Sequence, residues 1–438
     1  MAQRARIVDA LVVALLSVLA LGSVSLHVDR YTTLSPVDEM QHIDYLYRAP
    51  SPPAYGDKVG QDAMREQSCR GLDLPGFAKG TCSRSFTFDA DAYQERGYST
   101  GSMNAPVYYT LTKALAVPLG AVLGSDSLVT PGRLIGGLWL ALGLVIAYLV
   151  AVRRGIGRAA AGSMLALLAA SPAVIFPAAT INPDSMGLLA GALVLLALTG
   201  WEQRGGKAWA ATFLLVAVFV TAIKLTFILA VGAAALYLLA RAVRRPGLGK
   251  KLRSGDTLLA VTSVALSLGT ALGWLLVQSQ RLQMDPDALP DLATRFLVPE
   301  FPWAGLMETS LQLLSPLASP WAVVGDPIQL AFVTGVPSLV LLGGVLGAGL
   351  FRAASASHSD LASATVVVAI VGCLGLTTVS YLTSQSYFPL PPRYASALVP
   401  LMALGGASLV RDRAGACALA GVAAVALVVS LLRISGIG

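Results

Sequence analysis

Charge is what this chain has least of. Only 13% of its 438 residues are Asp, Glu, Lys or Arg, against about a quarter in an ordinary soluble domain, while 55% are hydrophobic. That balance excludes bulk water as the main solvent and predicts a polytopic membrane protein. Cysteines number four, too few for a disulfide-rich scaffold. Histidines number three, and no His-Glu-x-x-His occurs, which sets aside a zinc peptidase. Acidic residues are outnumbered 24 to 31, for a net charge of +7. The basic excess falls in short clusters between apolar runs, so it is a topology signal whose partner is the anionic inner leaflet of a membrane, with no nucleic acid implied.

The apolar runs set the map. Ile7 to Leu26 has about the roughly 20 residues a span needs, follows Arg4 and Arg6, and lacks a small-residue cleavage site, so it reads as a retained span starting in the cytoplasm. The cluster "RRGIGR" at Arg153 to Arg158 then fixes parity. If both Val107 to Gly124 and the following run crossed the membrane, that cluster would lie outside, against the positive-inside tendency. The segment beginning at Val107, with Tyr108, Tyr109, Lys113 and Pro118, therefore reads as an amphipathic helix at the outer interface, and residues 29–133 as one large external loop. Downstream, "INPDS" divides Ala159 to Trp201 into a hairpin, and Lys224 interrupts Ala208 to Ala240. A second external loop spans 278–327, and "RAVRRPGLGKKLR" is the strongest cytoplasmic signal. The expected fold is an all-α, single integral membrane domain over 1–438 with about eleven transmembrane helices, N-terminus inside and C-terminus outside. Cys373 and Cys417 lie in apolar runs as packing residues. Cys69 and Cys82 share the polar external stretch, where oxidation is permitted, and are expected to pair.

This map gathers the chemistry-capable residues on one side. "SPVDEMQHIDY", Ser35 to Tyr45, puts Asp38, Glu39, His42 and Asp44 just beyond the first span; "NAPVYY", "NPDS" and "PPRY" add Tyr108, Tyr109, Asn182, Asp184, Arg393 and Tyr394. A long first external loop opening on an acidic pair, then an interfacial Pro-x-Tyr helix and many further spans, resembles the membrane glycosyltransferases of the GT-C superfamily. More closely, Pro36-Val37-Asp38-Glu39 with His42, then Asn182-Pro183-Asp184, then Arg393-Tyr394 before the closing spans, resembles a bacterial family of polytopic proteins of unknown function assigned to that superfamily. The resemblance implies a GT-C-like bundle, a sugar donor carried on polyprenyl phosphate, an acidic residue of the first external loop as catalytic base, and a glycan, glycolipid or protein acceptor at the outer face of the cytoplasmic membrane.

The residues make chemical sense of that reading. Glycosyl transfer from a lipid phosphate to a hydroxyl needs a base on the acceptor, whereas the phosphate leaves readily without a strong acid. Two adjacent carboxylates repel, so one can be held with a raised pKa; Asp38 is the first choice of base and Glu39 the second. On a helix His42 shares a face with both, as an orienting hydrogen-bond partner or, with Glu39, as ligand to a divalent metal; the cluster is alternatively a solvated loop start. Arg393, and after it Lys224, can take the leaving phosphate, or else snorkel to headgroups. Asp184 can bind sugar hydroxyls or pair with one of these cations, although "NPD" is also a good turn. Tyr108, Tyr109, Trp303, Trp321 and Tyr387 can stack on sugar rings or form an aromatic belt. The other classes open to the sequence are a lipid or polysaccharide transporter or flippase, and a non-catalytic envelope protein.

Overall fold

With little water available to the apolar runs, each must satisfy its own backbone, and helices are how it does so. The computed structural model describes residues 2–72, 79–244, 247, 254–281, 296–318, 335–352, 354–387 and 389–435. Among them the chain is helical, with three isolated bridge pairings and no longer strand. The first helix, α1, covers Ala2–Arg30. A small layer follows: α2 (Glu39–Arg48), α3 (Gln61–Arg70), three 3-10 turns between Ala90 and Met103, and α4 (Val107–Leu123). A disulfide joins Cys69 to Cys82, with Cα atoms 4.6 Å apart, as the sequence leads one to expect. Helix α4 buries Tyr108, Tyr109 and Thr112 on one face and exposes Leu111, Leu115 and Val122 on the other.

The bundle continues with α5 (Val129–Arg153), α6 (Arg158–Ala169), α7 (Pro172–Ala178), α8 (Gly187–Arg204), α9 (Gly206–Ile223), α10 (Ile228–Val243) and α11 (Gly255–Gln280). It closes with α12 (Trp303–Gln312), α13 (Val336–Gly349), α14 (Ala356–Ser384), α15 (Val399–Leu409) and α16 (Arg413–Ser435). Among the described residues eight helices are long and apolar enough to cross a membrane, or nine with α6 and α7 counted as one span bent by 64°. Among the described residues the exact count of eleven is not confirmed. The run from Ala159 is the bent pair, broken where Pro172 starts a new helix after Ser171. The run from Ile328 is described only from residue 335, and the re-entering run near residue 400 is a 3-10 segment, Pro392–Leu398, feeding the 11-residue α15. Lys224 does divide α9 from α10, through a 3-10 turn over Leu225–Phe227. Much of the second expected external loop, including Asp285, Asp287, Asp291, Trp321 and Asp326, lies outside the described residues, as does most of the basic stretch after Arg244.

Helix direction alternates between two polar ends. At one end Asp9 of α1 accepts from Arg158 at 2.7 Å and Tyr148 at 2.8 Å. Arg154 pairs with Glu202 and donates to Ser357 at 3.1 Å, Arg241 lies 3.4 Å from Glu202, and Trp201 Nε1 donates to Asp256 at 2.8 Å. These contacts collect the ends of α1, α5, α6, α8, α10, α11 and α14. At the other end Gln278, late in α11, donates to the Pro53 and Ser102 carbonyls of the small layer at 3.3 and 2.9 Å. Close backbone approach fixes the elements there. A Cβ on Gly136 of α5 would stand 1.9 Å from the Ala178 carbonyl, and one on Gly191 of α8 would stand 2.1 Å from the Ala397 carbonyl. Small residues at helix contacts are how membrane bundles pack closely.

Candidate functional site

The cleft at this second end is built from three kinds of helix terminus. The turn Ser35 to Asp38 enters α2, the bent pair contributes the end of α7 and the Asn182-Pro183-Asp184 turn, and the 3-10 run before α15 contributes Arg393. The space they border, open to solvent at its mouth, is about 460 Å³ and is lined by Ser35, Val37, Asp38 and His42 on one side, Ala173, Phe176, Pro177 and Thr180 on another, and Asn182, Asp184 and Arg393. An apolar wall from α7 thus faces a charged one.

Asp38 caps α2 in the left-handed region, at φ 56° and ψ 10°, yet its side chain makes no capping hydrogen bond. Among the described residues its carboxylate accepts none, although Asp and Asn tolerate this backbone region better than most residues. Burial raises its pKa above the usual 3.8, as does the charge of Glu95, while Arg393 and Lys224 pull it down. The cations stand opposite. Lys224 Nζ donates to Asp184 Oδ1 at 2.5 Å, Arg393 Nε lies 3.4 Å from Asp184 Oδ2, and Lys224 sits 4.1 Å above the Tyr394 ring. One carboxylate therefore holds both cations, and Tyr394 steadies them by cation–π contact. Asn182 shapes the turn beneath: its Oδ1 accepts from Asp184 N at 2.8 Å and its Nδ2 donates to Thr180 at 2.7 Å.

His42 lines the cleft one helical turn beyond Asp38. Burial holds its pKa down to about 3, Lys224 and Arg393 add to this, and Asp184 opposes them. Its Nδ1 meets the Tyr109 hydroxyl at 2.7 Å.

Other expected site residues go elsewhere. Glu39 does not reach the cleft: it is 1% exposed, and its oxygens accept Arg133 Nε at 2.8 Å, Arg133 Nη2 at 2.7 Å, Ser35 N at 2.6 Å and Ile181 N at 3.1 Å. Four acceptor positions are filled, which leaves the carboxylate neither a proton to take nor a metal to hold. The expected Glu39–His42 metal pair is therefore not formed, and among the described residues no group of three or more His, Cys, Asp or Glu is placed to hold a metal ion. Asp44 points away as well, accepting Arg48 Nε at 3.0 Å and Gly60 N at 2.7 Å, so it ties α2 to the start of α3. Tyr108 is buried, packed edge-on against Tyr109 at 5.0 Å. Tyr387 bonds to Thr309 at 2.7 Å, beside α12, and Trp303 is largely exposed.

Sequence reasoning missed Arg133, 2% exposed, which also donates to the Tyr31 and Thr33 carbonyls at 2.8 Å. The signal was present: a lone arginine at the mouth of an apolar run must find a partner. It also missed the α7 wall, for which the Ser171-Pro172 break is the only mark.

No family model and no curated protein matches the chain. Among solved structures it is similar to the apo crystal structure of an oligosaccharyltransferase from Archaeoglobus fulgidus, at 12% identity and a TM-score of 0.46 over 98% of this chain and 56% of that one. It is also similar to the cryo-EM structure of the arabinofuranosyltransferase AftD from mycobacteria, at 16% identity and a TM-score of 0.35 over 90% of this chain and 26% of that one. The chain thus spans about half the length of the first and a quarter of the second. What fold and cleft define by themselves is an all-helical, multi-span membrane protein with a half-apolar, half-charged cleft at one end of its bundle.

Proposed function

We propose that this protein is a glycosyltransferase that moves a sugar from a polyprenyl-phosphate donor to a hydroxyl of a cell-envelope acceptor, at the outer face of the cytoplasmic membrane. The observation that carries the reading is Asp38: a carboxylate accepting no hydrogen bond among the described residues, in a cleft opposite Lys224 and Arg393. A general base must be free to take a proton, and a raised pKa brings it closer to working pH. In the reaction the acceptor O–H bond breaks and its proton passes to Asp38. The freed oxygen forms the bond to the anomeric carbon, and the carbon–phosphate oxygen bond breaks with its electron pair going to the phosphate. Lys224 and Arg393 neutralise that charge, with Asp184 keeping both in place before substrate arrives. The α7 wall of Ala173, Phe176 and Pro177 suits the start of a hydrocarbon tail.

The test is transfer from a panel of polyprenyl-phosphate sugars by purified protein supplied with envelope acceptor. Asp38→Asn keeps shape and removes the base, so turnover should fall by roughly 10²–10⁴-fold while donor binding survives. Arg393→Ala should weaken donor binding and slow transfer together. Wild-type turnover by Asp38→Asn would sink the assignment.

A further inference from the structure

Tyr109 has no part in the transfer just described, yet it is held more tightly than a packing residue needs. It has no exposed surface, and its ring lies face to face with Tyr45 at 3.7 Å and 13°, so the phenol cannot swing. The Asn104 side-chain nitrogen donates to the Gly101 carbonyl at 3.4 Å, and the Tyr45 hydroxyl donates to the Asn104 carbonyl at 3.1 Å, which fixes the chain just ahead of the helix that carries Tyr109. A phenol hydroxyl has one hydrogen to give, and the acceptor in reach is His42 Nδ1, 2.7 Å away. A neutral imidazole carries one donor and one acceptor nitrogen, so an accepting Nδ1 leaves the proton on Nε2. His42 lines the cleft with Nδ1 turned to Tyr109, which leaves Nε2–H as the ring atom offered to a ligand.

Resting on the reading of this cleft as a lipid-phosphate site, we propose that Tyr109 is a positioning residue that fixes His42 as the Nε2–H tautomer, and that this neutral N–H donates to a phosphate oxygen held beside Lys224 and Arg393. The logic is electrostatic. The cluster already holds two cations against Asp184. A third cation there would be repelled, and would grip the more highly charged phosphate product after the sugar has left. A neutral donor adds direction without adding charge, but only if its tautomer is set in advance, and the partner on the far ring nitrogen sets it.

The protein has three histidines, so ring ¹⁵N signals from histidine-labelled protein are few and His42 is assigned by its absence in His42→Gln. In the resting protein His42 should carry its proton on Nε2, and Tyr109→Phe, which keeps the stacked ring, should turn it into a mixture of tautomers. Undecaprenyl phosphate in detergent micelles should shift the Nε2 signal. Its affinity should fall about tenfold in Tyr109→Phe and at least as much in His42→Ala, whereas His42→Gln, whose amide N–H extends to the Nε2 position, should return to within about threefold of wild type. An equal Nε2 shift with inorganic phosphate assigns recognition to the headgroup alone; a shift with the lipid only assigns it to the anchored phosphate. An Nδ1–H tautomer in the resting protein, no Nε2 shift with either probe, or a Tyr109→Phe protein matching wild type in tautomer and affinity overturns the proposal. These readings need no turnover, so an Asp38→Asn protein that still transferred sugar would remove the catalytic assignment and leave this one standing.

Discussion

Asp38 occupies a backbone region unusual for a residue with a side chain and holds a half-buried carboxylate that accepts no hydrogen bond among the described residues, and both features cost stability. Because its folded pKa is raised, the native state binds its proton more tightly than the unfolded chain does. Stability from this group is therefore greatest below the unfolded value near 3.8 and declines as pH rises through the folded value; at neutral pH the full cost is present. Asp38→Asn should accordingly raise the melting temperature at pH 7 while lowering turnover, and the gain should vanish in acid; asparagine also suits φ above zero. An Asp38→Asn protein less stable than wild type at neutral pH would contradict this. The acid limb of the turnover profile should likewise lie above the ordinary carboxylate range, and Glu95→Gln should move it down, since the Glu95 charge raises the Asp38 pKa. Glu39, one residue on, behaves oppositely. Glu39→Gln leaves the Arg133 charge buried without its counter-charge, and breaking such a pair costs about 3–5 kcal/mol, so the expected outcome is loss of folded protein from the membrane. A well-folded Glu39→Gln protein with impaired transfer would move the base role to Glu39. Sequence alone could not separate these neighbours, because what distinguishes them is Arg133, 94 residues away.

At the level of elements, the sequence marked where helices stop better than what their ends do. The Asn182-Pro183 turn and Lys224 each break an apolar run, and each break is found, whereas the break at Pro172 was not read. Their convergence was not readable, since Asp184, Lys224 and Arg393 come from ends of different helices and each alone has an ordinary explanation as turn or snorkelling charge. The register that brings them together depends on Gly191, where the α8 backbone touches the 3-10 run carrying Arg393. An added Cβ meets the Ala397 carbonyl, which is backbone and cannot rotate aside. Gly191→Ala should therefore cost about 1–3 kcal/mol of stability and displace Arg393 from Asp184. The measurable outcome is a lowered melting temperature with weaker binding of undecaprenyl phosphate. An unchanged melting temperature and affinity would show that the contact has slack.

For the whole molecule, composition was enough to give an all-helical membrane bundle, and charge clusters were enough to give its alternation. The exact number of crossings is not confirmed among the described residues, where a bent pair and a short helix behind a 3-10 run stand in places that hydropathy reads as straight spans. Arg153, Arg154, Arg158, Lys207, Arg241 and Arg244 gather at one end, opposite the cleft, and the positive-inside tendency leads one to expect that end in the cytoplasm. The proposed function requires the cleft to open outside, where soluble nucleotide sugars are absent and a lipid-carried donor is what remains. This can be read in cells. Cys69 and Cys82 are paired, Cys373 is buried, and Cys417 alone is exposed, so Cys417→Ser leaves no accessible native thiol. In that background Asp126→Cys, at an exposed position between α4 and α5 on the cleft end, should react with a membrane-impermeant maleimide on intact cells. Lys207→Cys, exposed in the first turn of α9 at the other end, should react only after lysis. The reverse pattern would place the cleft in the cytoplasm, where soluble sugar donors are available, and the case for a polyprenyl-phosphate donor would lose its physical reason.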